Sequence, residues 1–402
     1  MMRNQTFLLL NALSVLAFFY SIPFLSYTIA LYFFVSLLFF FKERLYKLVN
    51  PASLLNVCFV IIPVFVLLIS IIWTENLAEG WSQIAKRAPL ISLPFCLWVQ
   101  NRMTNNKINL KAIDLWVLAS TLFSLYGLFT IFIGYKIDYS ADLTFIHIRH
   151  LLHNEVLFMH PVYIGLTSGI TCLISFNKII QKKRNFKLLF SVAFLISATL
   201  LLLTSARMPI VATAICCLAI LKFNKKALIF CAVSVIAFLL FGPKVFPGYR
   251  FNEITQFVQT LSNANDHTNN TLATRQKIYS CSIKLIGDKP LLGYGIGDSV
   301  DAIQDCRVMQ SEEGRLNSHN QYLEYMLATG VFGLSLFIVY LLSLLKSLRR
   351  RESTFGVVLL VYFILNMITE NIFARTWGVF LFSYFLFMFY VYTPTIRTPK
   401  TR

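Results

Sequence analysis

Apolar residues run through this sequence in long blocks, separated by short polar and basic gaps. Residues 55–73 and 228–242 carry no charged side chain, and a helix needs about 20 apolar residues to cross the roughly 30 Å hydrocarbon core of a membrane. The polar helix faces that surround a large soluble core are missing. The pattern therefore predicts an all-α polytopic membrane protein.

The N-terminal apolar block resembles a signal peptide, but no small-residue cleavage site follows it, and Pro23 and a second apolar block come next. We therefore interpret it as the first of about twelve transmembrane helices. The block at 88–100 is the shortest, and without it every later segment would change sides. The predicted helices are 6–22, 26–41, 55–73, 88–100, 113–134, 156–176, 188–204, 208–221, 228–242, 321–345, 354–370 and 377–393.

The distribution of charged residues predicts how these helices are oriented in the membrane. The chain has 36 Lys and Arg against 18 Asp and Glu, a formal net charge of +18. Of these basic residues, 22 fall in alternate gaps between the predicted helices or at the two ends of the chain, and the positive-inside rule makes that side cytoplasmic. Both termini are then cytoplasmic, and we expect membrane lipid rather than nucleic acid as the partner of this charge.

The largest polar segment, residues 243–320, lies on the outer side in this topology. We predict a single integral membrane domain over 1–402, with 243–320 as a large periplasmic loop between helices 9 and 10. Apolar spacing within the loop indicates short helices at 251–261 and 275–288. Cys281 and Cys306 both lie in this loop, where they either pair or stay free; an oxidising periplasm allows the pair.

A polar cluster at 317–324 stands where this loop enters a predicted helix. On a helix, Asn320 and Glu324 are one turn apart, as are His319 and Leu323, and Tyr322 lies between them in the chain. Histidine titrates near neutral pH, which suits it to take a proton from a sugar hydroxyl. The alternative is a polar cap at a helix start, with glycines 330 and 333 serving close helix packing.

Arg207 follows a very tight turn between two apolar blocks, and Pro209 suits the first turn of the next helix. An arginine so close to the hydrocarbon is costly, which makes it a functional candidate. Its planar guanidinium suits bidentate contacts to phosphate. The alternative is a side chain that snorkels to the membrane surface.

Arg275 and Tyr279 precede a glycine-rich segment, Pro-Leu-Leu-Gly-Tyr-Gly-Ile-Gly, at 290–297. Glycines at this spacing occur in nucleotide-binding loops, but no β-strand precedes them and no αβ unit surrounds them. We reject a nucleotide site and predict a flexible turn.

Three histidines, His147, His150 and His153, are spaced to share one helix face, as zinc ligands can. No carboxylate or cysteine completes the set, so we expect no metal and a polar interfacial segment. Arg149 lies within this segment, and His160 stands at the entrance of the next helix, where it can touch a substrate.

Another outer turn, at 370–375, contains Glu370 and Arg375. Its opposite charges form either a local ion pair or a wall of the same site. The sequence leaves both alternatives open.

In this order, the motifs resemble the O-antigen ligase and O-antigen polymerase superfamily of bacterial envelope glycosyltransferases. The resemblance covers about residues 145–345. It rests on Arg207 at a helix start, on Arg275 ahead of the glycine-rich segment, and on His319-Asn320 followed by Leu323-Glu324 and Gly330-x-x-Gly333.

The resemblance implies a GT-C-like helical fold in the bacterial inner membrane, with a periplasmic active face. It also implies transfer of a glycan from undecaprenyl diphosphate to an acceptor hydroxyl, with inversion and without a metal or other cofactor. On this chain, His319 would deprotonate or orient the acceptor hydroxyl, and Arg207 and Arg275 would bind the diphosphate leaving group. We expect supporting roles for Asn320, Tyr322, Glu324, His160, Arg149 and Arg375.

The expected function is an O-antigen ligase whose acceptor is lipid A-core. An O-antigen polymerase that joins lipid-linked repeat units and a protein O-oligosaccharyltransferase use the same donor chemistry and are the alternatives. A flippase for lipid-linked sugars is the alternative from another class. It would need charged residues deep within the helices of both halves, whereas the candidates here gather on the outer side.

Overall fold

Helices make up most of the computed structural model, which describes residues 2–48, 61–104, 107–135, 145–181, 186–221, 271–308 and 316–392. These ranges contain no β-strand. We number the longer helices in chain order as α1 (Met2–Tyr20), α2 (Ile22–Lys42), α3 (Ile61–Trp73), α4 (Leu77–Arg87), α5 (Pro89–Met103), α6 (Lys107–Phe129), α7 (Phe145–Leu151), α8 (Pro161–Gln181), α9 (Lys187–Leu203), α10 (Arg207–Ile220), α11 (Thr271–Asp288), α12 (Ser299–Val308), α13 (Gln321–Arg350), α14 (Thr354–Met367) and α15 (Thr376–Tyr392).

Within the described residues, four helical stretches are long and apolar enough to cross a membrane: Ile22–Lys42, Ile108–Gly134, Pro161–Gln181 and Gln321–Arg350. Helices α3, α9, α10, α14 and α15 are apolar but shorter. The prediction of an all-α fold is confirmed for the described residues, and the four candidate spans agree with a multi-pass membrane protein. The number of twelve helices and the GT-C-like arrangement stay predictions, and the helices predicted at 228–242 and 251–261 lie outside the described residues.

The bundle is organised around α15, whose residues 379–388 are almost completely buried. This helix packs against α5, α8 and α14, and burial on all sides requires the continuous apolar sequence that it has. A polar connection crosses the same core. The Tyr384 hydroxyl donates to Asn11 Oδ1 at 2.7 Å, and Asn11 Nδ2 donates to Gln100 Oε1 at 2.6 Å. Such interhelical hydrogen bonds hold helices in register where lipid offers no polar partner.

The outer segment 74–87, interpreted above as a gap between helices, contains α4. Asn76 caps this helix through its Oδ1, which accepts the Glu79 amide at 3.1 Å. The carboxylate of Asp298 accepts from the Glu75 and Asn76 amides at 2.7 and 2.8 Å, so the long loop itself anchors the helix start. The signal was present in the sequence, because Asn followed three residues later by Glu is a helix-start pattern.

Other boundaries also differ from the prediction. The shortest predicted helix, 88–100, is present as α5, and its crossing of the membrane stays a prediction. Helix α6 begins at Lys107 rather than at 113. The outer gap 135–155 contains α7, and the long loop contains α12 in addition to α11, which confirms the short helix predicted at 275–288. Helix α12 carries Asp301 in its first turn and Arg307 in its last, the order that the helix dipole favours.

The cysteines of the long loop are paired. Cys281 in α11 and Cys306 in α12 form a disulfide, with their Cα atoms 5.8 Å apart. The sequence left open whether Cys281 and Cys306 pair or stay free, and in the structure they are paired. The bond joins the helix that carries Arg275 to the helix that follows the glycine-rich segment.

Candidate active site

The start of α13 is fixed by Asn320, which has an extended backbone and accepts the Tyr322 and Leu323 amides at 2.9 and 3.0 Å through its Oδ1. This is the cap that satisfies the free amides of a helix start. Asn320 Nδ2 also donates to the Ile368 carbonyl at 2.8 Å. The cap therefore ties the entrance of α13 to the turn that follows α14, and it fixes the backbone directly after His319.

His319 has a left-handed backbone with φ of 47°, a conformation that costs free energy in a residue other than glycine. Its amide donates to Asn317 Oδ1 at 3.0 Å, and its carbonyl accepts the Tyr279 hydroxyl at 3.4 Å. These contacts from both sides maintain the conformation, which turns the histidine out of the helix path. Such strain is typical of functional positions.

Arg275, Glu370 and His319 meet in one group. Arg275 donates through its terminal guanidinium nitrogen to Glu370 Oε1 at 2.6 Å, and Glu370 Oε2 lies 3.4 Å from His319 Nδ1. The Glu370 side chain is 14% exposed, and those of Arg275 and His319 are 29% and 25% exposed. We call these three residues the Arg–Glu–His group. It joins three parts of the chain: α11, the turn after α14, and the residue before the cap of α13.

The electrostatics of this group favour an ionised carboxylate. Burial by itself raises the pKa of Glu370, but the hydrogen bond from His319 and the positive charge of Arg275 outweigh burial and leave the pKa below its usual value. An ionised carboxylate can only accept hydrogen bonds, so it holds the proton of His319 on Nδ1. The Nε2 lone pair is then available to take a proton from a hydroxyl.

Further polar residues surround this group. Burial lowers the pKa of His160 to about 4, with Glu370 acting in the opposite direction and Arg375 and Arg149 lowering it further. His160 is therefore neutral at neutral pH, and its ring lies 5.4 Å from that of His153. Within the described ranges no three His, Cys, Asp or Glu side chains come together as metal ligands do.

Arg207 heads α10, as the sequence predicted. The preceding turn is tight, with Ser205 at φ of 51° and the Ala206 amide donating to Thr204 Oγ1 at 3.3 Å. Ala206 lies close to Gly165 in the second turn of α8, the helix that His160 precedes. In the described part of the chain, no hydrogen bond or ion pair joins Arg207 to the Arg–Glu–His group, although Arg207 has interactions of its own.

The two other residues expected near His319 have different contacts. Glu324 is 3% exposed and accepts the hydroxyls of Ser299 and Ser318 at 3.2 and 3.0 Å. The Tyr322 hydroxyl donates to the Ile364 carbonyl at 3.2 Å. Both side chains therefore fix the position of α13, against α12 and α14 respectively, rather than joining the Arg–Glu–His group.

The glycine-rich segment 290–297 packs against a kink in α13. The Tyr294 and Gly295 amides donate to the Leu327 and Ala328 carbonyls at 2.7 and 3.0 Å, so hydrogen bonds within the protein already satisfy these amides. At the kink, Gly330 has φ of 64°, and a Cβ there would come within 2.0 Å of the Leu291 carbonyl oxygen. The segment is an ordered packing element and not the flexible turn expected from the sequence.

Glu370 is the residue whose importance sequence reasoning underestimated. The turn at 370–375 suggested a pair between Glu370 and Arg375, but Glu370 instead contacts Arg275 and His319. Arg375 is exposed and lines a neighbouring cavity. The local ion pair is therefore wrong, and the wall of the site stays a prediction, which the contacts of Glu370 favour. A carboxylate at the outer end of an apolar helix was the available signal.

Residues 192–338 match the O-antigen ligase family. This segment contains Arg207, Arg275 and His319. The resemblance to the O-antigen ligase and polymerase superfamily is thereby confirmed. No curated protein matches the chain. Members of the O-antigen ligase family are membrane glycosyltransferase-like enzymes that use a lipid-linked glycan and a glycan acceptor, and Glu370 lies outside the matched segment.

Proposed function

We propose that this chain is an O-antigen ligase of the bacterial inner membrane, which transfers a glycan from undecaprenyl diphosphate to a hydroxyl of lipid A-core on the periplasmic face. The observation that carries the proposal is the Arg–Glu–His group, which combines a base with a fixed cation. A reaction that creates an alkoxide and releases a diphosphate needs both.

In the proposed reaction, His319 Nε2 takes the proton of the acceptor hydroxyl. The acceptor oxygen forms a bond to the anomeric carbon from the face opposite the diphosphate, which inverts the configuration. The bond from the anomeric carbon to the diphosphate oxygen breaks, and its electron pair stays on the diphosphate. Arg275 and Arg207 stabilise the resulting negative charge, since guanidinium groups bind phosphate in a bidentate manner. Neither a metal nor a cofactor has a role in this scheme.

Two observations support the periplasmic face. The disulfide between Cys281 and Cys306 lies in the loop that carries Arg275, and such bonds persist in oxidising compartments rather than in the cytoplasm. The distribution of basic residues independently assigns the same loop to the outer side. The proposed topology retains one membrane domain over 1–402 with 243–320 as the periplasmic loop.

The test uses full-length protein with a lipid-diphosphate-linked glycan as donor and lipid A-core as acceptor. We expect wild-type transfer to the core, and a loss of about 10²- to 10⁴-fold for His319→Ala. The matched control is His147→Ala, because His147 is an exposed histidine of α7 and should leave transfer unchanged.

The same assay separates the alternatives. Elongation of the donor glycan without any core acceptor would identify a polymerase, and transfer to a protein hydroxyl would identify a protein O-oligosaccharyltransferase. Movement of the lipid-linked glycan across vesicles without any transfer would identify a flippase. Full transfer by His319→Ala would rule out the assigned base.

A further inference from the structure

A cavity of about 420 Å³ is lined by residues that lie close in the chain to His319 and Glu370. Its walls come from the start of α2, from α4 and α12, and from residues 317–324 and 371–376. Asn317, whose Oδ1 accepts the His319 amide, and Asn371, which directly follows Glu370, are among the lining residues. The three residues of the Arg–Glu–His group and Arg207 are not among them. The cavity therefore reaches residues that contact the base or adjoin its carboxylate, and it does not include the arginines assigned to the diphosphate. Its volume is within the usual range of small-molecule sites.

The lining of this cavity combines apolar surface with polar side chains, and its charges balance. Its charged residues are two carboxylates and two cations: Glu79, Glu324, Lys86 and Arg375. Lys86 lies 4.0 Å from Glu79, so part of the positive charge is already neutralised. Amide and hydroxyl side chains supply both hydrogen-bond donors and acceptors. A balanced mixture of this kind suits a ligand with many hydroxyl groups, whereas a phosphate would need an excess of positive charge.

The polar groups on the walls are held in place before any ligand binds. The two serine hydroxyls described above fix the Glu324 carboxylate. Gln83 Nε2 donates to Glu79 Oε1 at 2.7 Å, and Gln83 Oε1 accepts from buried Arg87 at 2.7 Å. Preorganised groups lose less entropy on binding.

Arg375 is different, because its exposed side chain forms no hydrogen bond or ion pair with the described residues. Its guanidinium is available to a ligand in the cavity.

We infer that this cavity binds the acceptor as an uncharged saccharide and presents one of its hydroxyl groups to His319. The inference rests on the proposed function, which supplies the acceptor, and adds that residues of α4 and of the 371–376 turn determine which sugar is accepted. The matched family segment contains neither α4 nor this turn, so acceptor choice is assigned to a part of the chain outside it.

The experiment compares two substitutions with controls at matched positions. Ala374→Phe fills the cavity without removing a polar group, and Ala374→Ser is its control. Arg375→Gln removes the available cation, and Lys284→Gln is its control, since Lys284 is an exposed lysine of α11 outside the cavity. The readouts are the affinity of full-length protein for soluble core oligosaccharide, measured by NMR titration, and the KM values for acceptor and donor.

We expect Ala374→Phe and Arg375→Gln each to weaken oligosaccharide binding and raise the acceptor KM by about tenfold, the effect of losing one charged hydrogen bond or its equivalent. The donor KM and both controls should stay near wild type. Unchanged oligosaccharide affinity in both variants, or a rise in the donor KM alone, would overturn the acceptor assignment.

The binding readout also separates this inference from the proposed function. Wild-type protein that binds the oligosaccharide but transfers nothing would contradict the ligase and leave the saccharide site standing. Wild-type protein that transfers normally, with both variants unaffected, would contradict the site and leave the ligase standing. Wild-type protein that neither binds nor transfers would contradict both. A melting temperature for each variant identifies any loss of folding, and Arg375→Gln, at an exposed position, decides the outcome if Ala374→Phe unfolds.

Discussion

Arg275 donates a hydrogen bond to Glu370 at 2.6 Å, although the two residues are 95 positions apart in the chain. The same carboxylate lies beside His319. The Glu370 carboxylate therefore orients both His319, the proposed base, and Arg275, which we propose binds the diphosphate. The contact also connects the outer loop to the membrane bundle, because α11 carries Arg275 and the turn after α14 carries Glu370.

Replacing Glu370 by Gln should lower transfer by about 10- to 100-fold, because His319 loses the acceptor that fixes its tautomer. The substitution should also lower the free energy of unfolding by about 1–3 kcal/mol, since Arg275 loses a charged partner. Transfer rates and melting temperatures measure the two effects. Glu75→Gln, at an exposed glutamate of the same outer region, should change neither.

The difference in stability between wild type and Glu370→Gln should depend on pH. Because the pKa of Glu370 in the folded chain lies below its usual value of 4.5, the folded state binds fewer protons at this group than the unfolded state does. The carboxylate therefore stabilises the fold above about pH 4.5, and this contribution is lost as the pH falls through the folded pKa. Melting temperatures of wild type and Glu370→Gln should converge below pH 4.5. A constant difference down to pH 3 would contradict the assignment.

Arg207→Lys and Arg275→Lys should each reduce transfer by about 10- to 100-fold, because a lysine keeps the charge but not the bidentate geometry. The acceptor KM should stay unchanged, since neither residue lines the cavity. Arg350→Lys, at the exposed far end of α13, is the control. If both variants were fully active, the role of these arginines in binding the diphosphate would have to be abandoned.

The disulfide should stabilise the outer loop. Replacing Cys281 and Cys306 together by serine should cost about 3.5 kcal/mol, the value expected for a closed loop of 25 residues. A reductant should lower the melting temperature of wild type and leave the double variant unchanged. Because α11 carries Arg275, transfer should fall in parallel. Cys217→Ser, at a cysteine outside this disulfide, should retain sensitivity to the reductant. Equal melting temperatures of oxidised wild type and double variant would show that the bond has no stabilising role.

Gly330→Ala should be strongly destabilising. The new Cβ would meet the Leu291 carbonyl oxygen, and the positive φ of 64° is itself unfavourable for alanine. Gly287→Ala is the matched control, because that glycine lies in α11 with no neighbouring atom within 4 Å of an added Cβ. Thermal unfolding should show a loss for the first variant and little change or a slight gain for the second. Equal melting temperatures would contradict the packing of 290–297 on α13.

Much of the architecture was predictable from local pattern. Membrane thickness sets the length of an apolar block, so α2, α8 and α13 follow from hydropathy alone. The start of a helix is also determined by residues near it in the chain, as the start of α10 at Arg207 shows. Helix α4 was not predicted, although Asn76 and Glu79 form a helix-start pattern. An amphipathic helix of 11 residues contains no long apolar block, which was the signal used for the other helices.

The site was predictable only in part. The sequence by itself determined which side chains have suitable chemistry: His319, Arg207 and Arg275 stood out because charged and titratable groups are rare beside membrane helices. Only the tertiary structure decided that Glu370 belongs with Arg275 and His319 rather than with Arg375, and that α4 walls a cavity beside them. The physical reason is that periodicity and capping are read from neighbours in the chain, whereas the partner of a charged side chain depends on how distant helices pack.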